Sequence, residues 1–183
     1  GLDYFLSYFW AWNYLKNLFL KYTLKNKWQE VSNLASTKPI ETVGLVVDTT
    51  DFDQTEVLIQ ELISKGFSEK NISVINYTDK LNKKEIQTRL SFNSEILDWK
   101  GEIVDQVIRD FINAEHDILI SYYEIEKPAL LVITNQSKAQ FKVGFSTIDK
   151  RLNHLLISTS LDKYTVFVQE LFKYLKILNK IEL

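Results

Sequence analysis

Short polar clusters that close or follow apolar runs are where this chain could do chemistry. The first closes the branched run Val43-Gly-Leu-Val-Val-Asp48 and continues as Thr49-Thr50-Asp51-Phe52-Asp53. The others are Thr78-Asp79-Lys80, then Tyr122-Tyr123-Glu124, then Gly144, Ser146, Thr147 and Asp149. If the apolar runs are parallel strands, these clusters sit at strand carboxyl ends, where open α/β sheets bind ligands. Asp48, Thr49, Thr50 and Asp51 are ligand-binding candidates, and the three carboxylates Asp48, Asp51 and Asp53 offer the hard oxygen atoms that a divalent cation takes. A simpler assignment has Asp48 ending a strand and Asp51 or Asp53 capping a helix, and no metal is expected. Tyr122 and Tyr123 present planar faces for a ligand, although rings at strand ends usually complete packing. Gly144, Ser146 and Arg151 complete the candidate ligand set. Lys138, Lys142, Lys150 and Arg151 could attract an anion, but they read as solvated surface charge.

Several chemistries are disfavoured. The segment from Asp48 to Asp53 has three carboxylates and no glycine, so it does not make a phosphate cradle, and no cofactor is expected. Cysteine is absent, which removes thiolate catalysis, disulfides and cysteine metal sites. His116 falls at the amino end of a strand and His154 opens another with no Ser or Cys partner indicated by spacing. Neither is placed as a general base, and no catalytic residue is assigned.

The most unusual segment is the N-terminus, where ten aromatic residues fall within the first 28 positions. Its charges are Asp3 and four lysines, giving +3 against −5 for the remainder of a chain with net charge −2. A uniformly basic nucleic-acid surface is not suggested, whereas a basic, aromatic arm facing a partner is. Residues 2–24 are expected to form a helix that is apolar all round, with Phe5, Phe9 and Trp12 lying away from Leu15, Leu18 and Tyr22. The interaction candidates are Phe5, Phe9, Trp10, Trp12 and Phe19. The expected partner is a second copy or another protein, with a membrane surface as the alternative, because Trp, Tyr and flanking Lys suit the lipid interface. The uncharged stretch from Tyr4 to Leu15 is too short to span a bilayer and lacks the flanks of a signal peptide, so the expected location is cytoplasmic or membrane-peripheral. The chain has no methionine, so Gly1 is expected to be a cut end rather than an initiator.

The 183 residues suit one core, divided into an aromatic, basic helical segment (1–35) and an α/β domain (40–183), with a break at Ser36-Thr37-Lys38-Pro39. Strands are expected at 43–48, 72–77, 118–122, 141–145 and 154–159. Asp53-Gln-Thr-Glu56 reads as a capping box for a helix bearing Val57, Leu58, Leu62 and Ile63, which Gly66 ends. A second stripe comprises Ile103, Val104, Val107, Ile108, Phe111 and Ile112, and Pro128 opens a helix running to about Gln136. The last stripe, Tyr164, Phe167, Val168, Leu171, Phe172, Leu175 and Leu178, has helical spacing throughout. Alternating strands and helices imply a Rossmann-like three-layer α/β sandwich with a mostly parallel sheet of about five strands and an appended N-terminal helix. Only Ser146–Asn153 separates the last two strands, which makes the final one either antiparallel at an edge or shorter than 154–159. Residues 78–102 are polar and aperiodic, a surface excursion or a weak extra strand.

The stretches DILISYY (117–123), SKAQFKVGF (137–145), DKRLNHLLI (149–157) and ELFKYLKILNKI (170–181), with VGLVVD, resemble an uncharacterised flavobacterial family, a domain of unknown function in Bacteroidota. The resemblance covers about residues 20–183 and implies no activity or site residues; its members begin near Phe19-Leu20-Lys21. A more distant similarity links the Asp-terminated first strand and the later Lys-Val-Gly strand to the N-terminal half of heptosyltransferase-type glycosyltransferases, which implies fold rather than function. The expected function is a non-catalytic binding or scaffold module docking through its aromatic arm. The alternative is a small enzyme or sensor binding a sugar or nucleotide at the strand carboxyl ends.

Overall fold

The computed structural model describes residues 1–32, 38–81 and 89–181. Six parallel strands form one sheet: β1 (Val43–Asp48), β2 (Ile72–Tyr77), β3 (Ser91–Phe92), β4 (Ile118–Tyr122), β5 (Phe141–Phe145) and β6 (Leu155–Ile157). Their order is β3-β2-β1-β4-β5-β6, so the chain winds outward to β3 and then returns to the other side of β1. That doubly wound order puts a switch point between the carboxyl ends of β1 and β4. Branched and aromatic residues explain the centre: every residue of β1, β4 and β5 is buried, as a strand covered on both faces requires. Gly44 is demanded by close approach, since a Cβ there would lie 2.7 Å from the His116 ring.

Helices α2 (Thr55–Ser64) and α5 (Tyr164–Ile177) pack together on one side of the sheet. Helices α3 (Gln106–Asn113) and α4 (Pro128–Gln136) pack together on the other. The expected stripe of α5 is buried from Phe167 to Leu175, with Phe172 against Phe67. Helix α1 (Leu2–Leu24) packs on α4 and on a 3-10 turn at Ser94–Ile96. The chain then runs on past the body, where the Val31 N–H donates to the Arg151 carbonyl.

The sheet's six strands agree closely with the expected number of about five, and the sixth, the two-residue β3, is the weak extra strand allowed for the polar stretch before Trp99. Several sequence expectations need correction. The last strand is parallel and only three residues long, so its brevity, not a reversal, accommodates the short connection from β5. Asp53 does not cap α2: Gln54 occupies the cap position and makes no side-chain capping bond. Helix α3 starts at Gln106, capped by the Asp105 carboxylate on the Ile108 N–H, while Ile103 pairs with Leu97 in a bridge. Val57, Val104 and Val107 face solvent. The expected break at Ser36-Thr37 lies outside the described residues.

Candidate functional site

Helix α1 is oriented inside out. At 100° per residue, Asn13, Lys16, Asn17, Leu20 and Leu24 share one face, and that face meets the body. Leu20 and Leu24 are buried there, and so is Lys16, whose Nζ donates to the carbonyls of Ser94 and Leu97 at 3.0 Å each. Burial lowers the Lys16 pKa, with Glu95 and Asp98 opposing the shift. The polar stripe therefore faces the protein while Tyr4, Tyr8 and Tyr22 face outward and the other rings flank the contact. Phe5, Phe9, Trp10, Trp12 and Phe19, the expected interaction residues, are all exposed, as are Tyr4, Tyr8 and Tyr22. Trp12 and Phe19 keep one edge on Trp99 of the body, at 5.0 and 5.8 Å between ring centroids.

Along its other flank α1 overhangs the switch point. A cleft of about 1040 Å³ lies there, with Phe9, Trp10 and Tyr14 on the helix side and Tyr77, Asp79 and Lys127 on the sheet side. Its floor is ionic. The Lys127 Nζ sits 2.7 Å from Asp48 Oδ2 and 3.0 Å from Asp79 Oδ1, above the Tyr77 ring. Burial works against the charged lysine, but the two carboxylates outweigh it and hold its pKa above the ordinary value. Thr50 ties the network to the loop: its N–H donates to Asp48, and its hydroxyl accepts from the Asp79 N–H. Thr49 donates its hydroxyl to the Tyr77 carbonyl.

The fold thus gathers Asp48, Thr49 and Thr50 at one strand end, beside Asp79 and Lys127. Asp51 is exposed nearby. Tyr122 and Tyr123 are fully buried, with no face free for stacking: Tyr122 packs on Phe52, Phe145 and Phe167, and its hydroxyl donates to the Leu161 carbonyl. The Tyr123 hydroxyl is bonded to Thr134. Burial pushes both phenols upward. Gly144 is packed against Asn153, and Ser146 accepts a hydrogen bond from Ser158. Arg151 pairs with Asp149 at 2.7 Å and donates to the Lys25 carbonyl, so it braces the segment after α1 rather than the cleft. Sequence reasoning missed Lys16, Trp99 and Lys127. For Lys127 a signal existed: a lysine immediately before a helix-opening proline sits at the unfavourable end of the helix dipole, which calls for local carboxylates.

Lys142, expected on the surface, is buried, and its Nζ donates to the Thr134 and Asn135 carbonyls at the end of α4. Burial lowers its pKa to about 8. The Lys142 N–H donates to His154 Nδ1, while Nε2 lies 3.0 Å from the Ser32 carbonyl, which fits a neutral ring protonated on Nε2. The His154 pKa is lowered by burial and by the charges of Lys142 and Lys180, against an opposing bond to Ser32. His116, buried against Phe111, is lowered by burial as well. Depressed pKa values mean that the unfolded chain binds protons first, so stability is lost as pH falls from 6.5 toward the folded values. The Lys142 contribution is lost higher, between 10.5 and about 8, and does not enter that window. Urea midpoints are therefore expected to fall between pH 7 and pH 5, and to fall less in His154→Gln, by on the order of 1 kcal/mol or less. Equal losses in both proteins would count against this assignment.

Among the described residues no helix is long and apolar enough to cross a membrane, and no group of three or more His, Asp or Glu side chains is placed to hold a metal ion. A model described as a family of unknown function (DUF6913) matches residues 16–178. No curated protein and no solved structure matches the chain.

Proposed function

The chain belongs to the DUF6913 family of unknown function, and we propose that it works as a non-catalytic binding module whose docking surface is the outward face of α1. One observation carries the reading: Lys16, bonded to two backbone carbonyls of the body, fixes the helix with its polar stripe inward, which leaves Tyr4, Tyr8 and Tyr22 on the outward side. Exposed apolar surface of that extent on a soluble domain marks an interaction site. The ionic floor of the cleft supports the same reading, because Asp48, Lys127 and Asp79 satisfy one another in a structural brace. The family model matches from Lys16 onward, so the first part of the aromatic arm lies before the matched region. In this reading the module acts in the cytoplasm and the surface faces a protein or the membrane surface from that side.

Trp10 and Trp12, both about 60% exposed, report on docking directly. Acrylamide quenching of tryptophan fluorescence is expected to weaken as protein concentration rises or as phosphatidylcholine–phosphatidylglycerol vesicles are added. Quenching that is unchanged in both series would contradict the reading.

A further inference from the structure

On the premise that α1 is the docking surface, we propose that its occupant is the α1 helix of a second copy, paired antiparallel as a two-stranded coil. The outermost line of the helix is Tyr4, Tyr8, Ala11, Leu15, Leu18 and Tyr22. Its spacings of 4, 3, 4, 3 and 4 make the a/d pattern of a coiled-coil seam over nearly three heptads. All of its members except the half-buried Ala11 are exposed, with Tyr4 and Tyr8 at 73% and Tyr22 at 83%. On one flank Trp12 and Phe19 lean on Trp99, and on the other Tyr14 and Lys21 edge the cleft, which Leu18 of the seam also touches.

Size matching and charge both select the antiparallel arrangement. Pairing about the helix midpoint sets Tyr4 against Tyr22, Tyr8 against Leu18, and the small Ala11 against Leu15, so that bulk meets bulk at the ends and a small residue meets a leucine at the centre. With Lys16 turned into the body, the outward charges of α1 are Asp3 near one end and Lys21 near the other. Both lie on the same side of the seam, about three-tenths of a turn from its line. A two-fold axis across the helices carries Lys21 of one copy beside Asp3 of the other, twice per dimer. A parallel pairing would instead put like charges at the same end, with no opposite charge beside either. The area is sufficient: the chain exposes 10870 Å², about 1,700 Å² more than a compact monomer of its mass. A stable interface needs about 800 Å² from each partner.

Sedimentation equilibrium of the intact chain tests the pairing. A dimer is expected, with the dissociation constant raised about tenfold by Asp3→Lys or by Lys21→Glu, and restored toward the original value when the two changes are combined. Circular dichroism on each variant verifies that α1 remains helical. A monomer at every concentration, or a dimer indifferent to both exchanges, overturns the proposal. So does a chain that binds phosphatidylcholine–phosphatidylglycerol vesicles as a monomer, although that result leaves docking through α1 intact.

Discussion

Replacement of Lys127 by methionine is expected to destabilise the protein by about 3 kcal/mol or more, lowering its melting temperature by roughly 10 °C. The side chain of Asp48 is only 4% exposed, and its carboxylate meets Lys127 at 2.7 Å. Removing the ammonium leaves that carboxylate buried with the Thr50 N–H as its remaining partner, a far more costly state than loss of a solvated surface pair. The more exposed Asp79 can turn to water and should contribute less. Asp48→Asn introduced beside Lys127→Met is expected to recover a large part of the loss, since a neutral amide needs no counter-ion. The pair should then show more than 1 kcal/mol of coupling in a double-mutant cycle. Denaturant midpoints that match the parent protein would show that the brace is not formed. So would losses from the two single changes that simply add.

Elements with a local signature were legible in the sequence. Pro128 marked the first turn of α4, the run from Phe141 to Phe145 marked β5 to the residue, and the three-and-four spacing of Phe167, Val168, Leu171 and Leu175 marked the buried face of α5. Each of those signals depends on neighbours within one or two turns. What escaped depends on partners far along the chain. Lys16 is buried because the Ser94 and Leu97 carbonyls, some eighty residues away, receive its ammonium. Lys142 is buried because the end of α4 offers it two carbonyls. β3 exists because Tyr77 and Asn76 lend it a ladder, not because two residues have strand character. At the strand carboxyl ends, the polar residues drew attention correctly as a location, but their pairing could not be read from type and spacing. Nothing local in the sequence distinguishes a paired Asp48 and Asp79 from solvent-facing ones, and the lysine that joins them comes from the loop after β4. The orientation of α1 was the largest gap. A helix that is apolar on nearly every side gives no periodic clue to its inward face, so which rings face outward depends on the single lysine that turns toward the body.

That orientation is the central claim, and introduced thiols test the resulting pairing most directly because the chain contains no cysteine of its own. Tyr4→Cys and Tyr22→Cys are prepared as separate proteins, mixed, and oxidised under mild conditions before electrophoresis without reductant. A disulfide needs Cα atoms about 5.5 to 6 Å apart, which an antiparallel seam centred on the middle of α1 provides between positions 4 and 22 of opposite copies. The account predicts a covalent dimer in the mixture, containing one copy of each variant, and little from either variant alone. Cross-linking of each variant with itself at equal yield, or a mixture that stays monomeric, would contradict it.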